Sequence, residues 1–166
     1  TLPRSLRWTG GQLDLLDQRC LPHSVVYRQL TKWHEVSDAI RSMVVRGAPA
    51  IGIAAAWGVV LAARSGNDLD QAIEGLRASR PTAVNLSWAL NRMQSFVNSK
   101  GWVDVRELER LAAVIEAEDR ALTQALVNYG IGVLPDDCRV LHHCHTGAVA
   151  TAGVGTALGV IVAGHQ

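Results

Sequence analysis

Aromatic residues are few: five Trp, two Tyr and one Phe in 166 residues. No RNP-type cluster for stacking bases is present, and no helix-turn-helix or zinc-finger spacing. Charge of one sign is missing too. Sixteen Lys and Arg against 15 Asp and Glu leave a formal net charge of +1, with the signs interspersed. That balance argues against a nucleic-acid tract and against an acid-seeking surface. Cys20, Cys138 and Cys144 are the only cysteines and fit no paired framework. The smoothest apolar run, Ala48 to Ala63, is about 16 residues of mainly small side chains, short of the ~20 a membrane helix needs. No basic start followed by an apolar stretch suggests a leader. A reducing cytoplasm is expected, with neither nucleic acid nor membrane as a partner.

Nucleotide fingerprints are also lacking. Gly153-Val-Gly-Thr-Ala-Leu-Gly159 reads G-x-G-x-x-x-G, not G-x-G-x-x-G, and begins well after the preceding strand. No Lys-Ser/Thr pair closes a phosphate loop. These glycines suit close helix packing.

Hydrophobic residues make up 48% and charged ones 19%, enough apolar material for a buried core. The length suits one domain, or one domain and the opening of another. Residues Leu6 to Leu30 read as a β-meander: brief runs (Leu6 and Trp8, Leu13 to Leu16, Ser24 to Tyr27) cut by Gly10-Gly11 and Pro22. Val36, Ile40 and Met43 share one helical face after a Thr31 cap. Pro49 opens a second helix whose Ala and Gly residues allow close approach at the centre of a helical layer. Ser65-Gly-Asn67 ends it. Helices follow over Leu69 to Ser79 and from Asn85 to about Val97, with a turn at Lys100-Gly-Trp102. From Asp104 to Tyr129, the residues Leu108, Leu111, Ile115, Leu122, Leu126 and Tyr129 recur at helical spacing, with Glu109, Arg110, Glu116, Glu118 and Arg120 opposite. Pro135-Asp-Asp137 marks a boundary. A strand over Arg139 to Cys144 and a last helix complete an α/β chain: an N-terminal α+β domain over 1–134, mainly helical, then over 135–166 the start of a second unit.

Two segments place arginine just before a helix start. In Val45-Arg-Gly-Ala-Pro-Ala-Ile-Gly52, the helix end offers free N–H groups and partial positive charge, and Arg46 adds a bidentate donor, so a phosphate would fit. Arg80-Pro-Thr-Ala-Val-Asn85 repeats that logic. The plain alternative for each is a capped helix with a surface arginine. The third segment, Val140-Leu-His-His-Cys-His-Thr-Gly147, puts a thiol at the carboxyl end of the expected strand, where chemistry collects in open α/β sheets. Along a strand, His142 and Cys144 face one side and His143 and His145 the other, and no second cluster completes a tetrahedral set. Metal is therefore not expected, although a metal-dependent hydrolase is the reading the histidines invite. A buried structural thiol is the plain alternative for Cys144.

Together with Leu16-Asp-Gln18 and Gly155-Thr-Ala-Leu-Gly159, these segments occur nearly end to end in an order that resembles the methylthioribose-1-phosphate isomerases of methionine salvage. That family is shared with archaeal ribose-1,5-bisphosphate isomerase and the regulatory subunits of initiation factor 2B. The resemblance implies an aldose–ketose isomerisation of 5-methylthioribose 1-phosphate to 5-methylthioribulose 1-phosphate, without metal or nucleotide. Arg46, Gly47, Ala48 and Arg80 would hold the substrate, with Thr146 and Gly147 beside it and Cys144 at the reacting carbons. Residues 135–166 would begin a Rossmann-like domain. The family's general acid is an aspartate in the second half of a chain about twice this long, so the resemblance implies a complementary C-terminal half, and a homodimer as the assembly. Departures are His145 where the family usually carries asparagine, His142 for a usual threonine, and Val154 for an aromatic residue. A non-catalytic binding or regulatory module, or an isomerase of another pentose phosphate, is the alternative.

Overall fold

The computed structural model describes residues 3–100 and 102–165. Strands β1 (Leu6–Trp8), β2 (Leu13–Leu16) and β3 (Tyr27–Leu30) form an antiparallel sheet in the order β1-β2-β3, with Leu6 opposite Leu15 and Leu13 opposite Leu30. Gly10 and Gly11 turn the first hairpin at positive φ, as the meander reading requires. Helices follow: α1 (Trp33–Arg41), α2 (Ala48–Arg64), α3 (Leu69–Arg77), α4 (Val84–Asn98), α5 (Val105–Ile131) and α6 (Ala157–Gly164). Three of these starts have a side-chain cause. Asp68 and Asp104 accept hydrogen bonds from the first-turn amides of Gln71 and Arg106. At α1 the cap position is Lys32, not the expected Thr31, because the Glu35 carboxylate reaches back to the N–H groups of both Thr31 and Lys32. Met43 falls beyond the helix at positive φ and half exposed, so the inward face of α1 is Val36, Ala39 and Ile40.

Helix α2 is the axle. Thirteen of its 17 residues are buried, on every side, as for a helix apolar all round. Helices α1, α3, α4 and α5 all pack on it. Close approach is bought with glycine: a Cβ on Gly58 would lie 3.0 Å from Leu76, and one on Gly52 would lie 2.6 Å from the backbone oxygen of Asn85. The latter contact presses the first turns of α2 and α4 together. At the far side, Trp8 stacks on Trp57 at 4.5 Å between ring centroids, and the Trp57 indole donates to Glu116.

Two expectations fail. Residues 139–143 form no strand; they are irregular and exposed, with Leu141 98% accessible. A strand exists only through pairing, and no strand among the described residues lies beside this segment. On α5 the buried stripe runs through Leu108, Ala112, Ile115, Thr123 and Val127, whereas Leu122, Leu126 and Tyr129 face outward. The cause is the backbone packed on the helix: a Cβ on Gly153 would meet the Thr123 hydroxyl at 2.3 Å, and one on Gly159 would meet Val127 at 2.9 Å. Such proximity selects small or β-branched residues over leucine. The expected turn at Lys100-Gly-Trp102 includes Gly101, which lies outside the described residues. Among the described residues no helix is long and apolar enough to cross a membrane.

Gly52→Ala forces a methyl against backbone and should cost about 1–3 kcal/mol. Gly132→Ala, whose Cβ would have no neighbour closer than 3.6 Å, should be neutral or slightly stabilising. Denaturant melts of both variants check the contrast.

Candidate functional site

The site is built where three loops converge at the N-terminal end of α2. Gly47, the cap residue, has φ 94° and ψ 131°. A side chain there would be strained, and it would also meet the Ala150 backbone at 2.5 Å. The Arg46-Gly-Ala48 loop therefore lies directly against the segment that follows Cys144. From the other side, the Gly52–Asn85 contact brings the Arg80-to-Asn85 segment to the same end of α2. Sequence alone left this convergence open. Helix α2 thus presents unpaired first-turn N–H groups, including that of Ala48, next to Arg46. Among the described residues, neither Arg46 nor Arg80 has a carboxylate partner, unlike Arg19, Arg28, Arg64 and Arg92.

The cysteine loop is irregular, but its base is pinned. The Thr146 carbonyl accepts from the Thr156 N–H at 2.8 Å, and the Thr146 hydroxyl accepts from the Leu158 N–H in the first turn of α6. Gly147 bridges Gly155, where a Cβ would lie 2.7 Å from the Thr146 oxygen. After a single 3₁₀ turn at Ala148–Ala150, Ser5 donates to the Thr151 carbonyl, and the Ala152 N–H donates to Asp119. Burial raises the Asp119 carboxyl above its ordinary value, against the opposing pull of that N–H and of Arg120. Cys144 itself is unpaired, exposed and at φ 83°, so among the described residues it is not part of the core. His142 meets the Thr146 hydroxyl through Nδ1. Among the described residues, no three His, Cys, Asp or Glu side chains stand close enough to hold a metal ion.

The residue the motif reading passed over is Gln18. It is 8% exposed at the end of β2. Its Nε2 donates to the carbonyls of Val149 at 2.7 Å and Arg46 at 3.3 Å, and its Oε1 lies 3.1 Å from His145 Nε2. Two carbonyl partners fix the amide orientation, so Oε1 is the acceptor and His145 Nε2 carries the proton. Burial, and then the charge of Arg46, push the His145 imidazole below its ordinary value. Beside Gln18, Asp17 is held well below the usual carboxylate range, first by hydrogen bonds from Arg19 and then, against burial, by one from Arg28. The signal for both residues was Leu16-Asp-Gln18, a matched segment to which sequence assigned no chemistry.

A family model described as initiation factor 2 subunit family matches residues 44–166. The chain belongs to that family. Within it, the chain is 86% identical over its whole length to the methylthioribose-1-phosphate isomerase of Synechococcus sp. (strain CC9902), covering 50% of that protein. It is 48% identical to the isomerase of Alcanivorax borkumensis, covering 47%. Among solved structures, 5-methylthioribose 1-phosphate isomerase from Pyrococcus horikoshii superposes with a TM-score of 0.90 at 35% identity, over 99% of this chain and 50% of that one. The initiation factor eIF-2B delta subunit of A. fulgidus does so at 0.80 and 36%, over 99% and 51%. The chain spans about half the length of these relatives, and the resemblance first carried by the motifs is thereby established.

Asp17→Asn should lower the thermal midpoint at pH 7 by about 3–6 °C. Because the folded-state pKa is depressed, this stabilisation is complete above the unfolded carboxylate value near pH 4 and lost progressively as pH falls below it. Melts of parent and variant at pH 7, 4 and 2.5 should therefore converge towards acid.

Proposed function

We propose that this chain is the N-terminal half of a methylthioribose-1-phosphate isomerase, which converts 5-methylthioribose 1-phosphate to 5-methylthioribulose 1-phosphate. The observation that carries this reading is the Gly47–Ala150 approach, which unites the arginine loop and the cysteine loop at one helix terminus. The substrate phosphate would sit over the Arg46-Gly-Ala48 backbone, with Arg46 and Arg80 as its guanidinium clamp. Thr146 and Gly147 would flank the sugar.

The anomeric oxygen carries the phosphate, so the ring must open without a free aldehyde forming first. In the net reaction the C1–ring oxygen bond breaks and the ring oxygen takes the proton of the C2 hydroxyl. The hydrogen on C2 moves to C1, and C2 becomes the carbonyl carbon. Cys144 would stand at C1 and C2, stabilising or exchanging the migrating hydrogen. The general acid would come from the second half of the polypeptide, as would the sheet that turns 139–144 into a strand. In this reading 1–134 is one domain and 135–166 opens a Rossmann-like one. Methionine salvage in the cytoplasm is the setting proposed.

A second reading, a non-catalytic regulatory module, is favoured by the similarity to the A. fulgidus delta subunit. Kinetics of the full-length polypeptide decide between them. The isomerase reading expects turnover that Cys144→Ser lowers at least 10²-fold in kcat, while Arg46→Lys chiefly raises KM for the phosphorylated pentose. Absence of turnover in the full-length parent would favour the module. Turnover indifferent to Cys144→Ser would remove the thiol from the mechanism.

A further inference from the structure

We propose that Gln18 is the positioning residue of this site: it locks the arginine loop to the cysteine loop and selects the tautomer of His145. The proposal rests on the isomerase reading for its catalytic consequence, but its geometry stands independently of it.

One buried carboxamide spans three segments far apart in sequence. Its amino group takes the carbonyl of Arg46 at the start of α2 and the carbonyl of Val149 in the 3₁₀ turn, while its oxygen takes His145. All three hydrogen-bonding interactions use different lone pairs or protons of one rigid planar group. The carboxamide is itself fixed from behind. The Gln18 N–H donates to the Val44 carbonyl at 2.9 Å, and the Asp17 N–H donates to that of Val26. The neighbouring Asp17 carboxylate is occupied by Arg19 and Arg28 and does not compete for His145. Gln18 therefore transmits the rigid edge of the sheet to two loops that lack regular structure of their own.

The consequence for His145 is specific. With Nε2–H directed at the Gln18 oxygen, Nδ1 keeps its lone pair, one residue from Cys144. Arg46 is the charged group that acts on this imidazole and disfavours its protonation. A carboxylate in place of the amide would reverse that preference and would lose both carbonyl contacts. Glutamine is the side chain that can donate twice, accept once and remain uncharged at this reach.

The test uses the full-length polypeptide with Gln18→Ala and the volume-conserving Gln18→Met, so that a folding defect in one leaves the other readable. The tautomer of His145, read from its imidazole nitrogen NMR shifts, is the first measurement, and the kcat–KM split the second. In both variants the His145 ring should lose its preference for the Nε2–H tautomer, and kcat should fall about 10–100-fold with a smaller change in KM, as loss of alignment does. Gln18→Glu should favour the protonated ring without restoring kcat. An unchanged His145 tautomer in folded Gln18→Ala and Gln18→Met would overturn the proposal even if kcat fell, because the loss would then arise elsewhere. A kcat within twofold of the parent would overturn the catalytic role. If the parent shows no isomerase turnover, the isomerase reading falls alone; a changed His145 tautomer in Gln18→Met would still support the lock.

Discussion

The approach of Gly47 to Ala150 is the constraint from which the site follows. Two backbones meet with no room for a β-carbon, at a residue whose φ of 94° already favours glycine. Apart from Arg80, every residue assigned to chemistry lies within a few residues of that contact. Arg46 and Ala48 flank one member; Cys144, Thr146 and Gly147 precede the other. Such an approach holds only if both backbones are supported from behind, and they are. Helix α2 is buried on all sides. The 148–153 segment is tied to Ser5, Gln18 and Asp119, and so to the sheet and to α5.

This arrangement explains a division of labour in the sequence. Apolar volume is concentrated in α2 and the faces turned towards it, whereas the chemistry-bearing residues sit on loops at one end. Arg46 and Cys144 are exposed, and neither contributes to the core. Stability and function are therefore coupled chiefly through glycine and through buried polar groups such as Gln18 and Asp17. These hold the geometry without touching the proposed substrate. An apolar replacement at either would keep volume but strand its carbonyl or guanidinium partners.

Much of this was legible in the residues. Gly10-Gly11, Pro49 and Ser65-Gly-Asn67 punctuate the chain where elements begin and end, because their backbone preferences are local. The three long motifs, in order, carried the family. What failed was non-local. The outward Leu122, Leu126 and Tyr129 form a good helical stripe, yet the winning face is Thr123 and Val127, selected by glycines more than 25 residues away in sequence. Arg139 to Cys144 has strand-like composition, but composition cannot supply the neighbour a strand must pair with. Likewise Leu16-Asp-Gln18 was recognisable as a motif, while its role depended on which carbonyls 28 and 131 residues on would come within reach.

Backbone strain at Cys144 ties the loop to its rigid base. Cys144 is a non-glycine residue at φ 83°, a region costly for a side chain that carries a β-carbon. Such a conformation persists only where the surroundings over-determine it. Here the residues just beyond it are fixed by Thr156, Leu158 and Gly155, and the next residue is tethered by Gln18. The turn carries the thiol into solvent from a rigid base instead of folding it into the core. The Gln18–His145 hydrogen bond constrains the loop beside that turn, and the same carboxamide holds the Arg46 carbonyl at the start of α2.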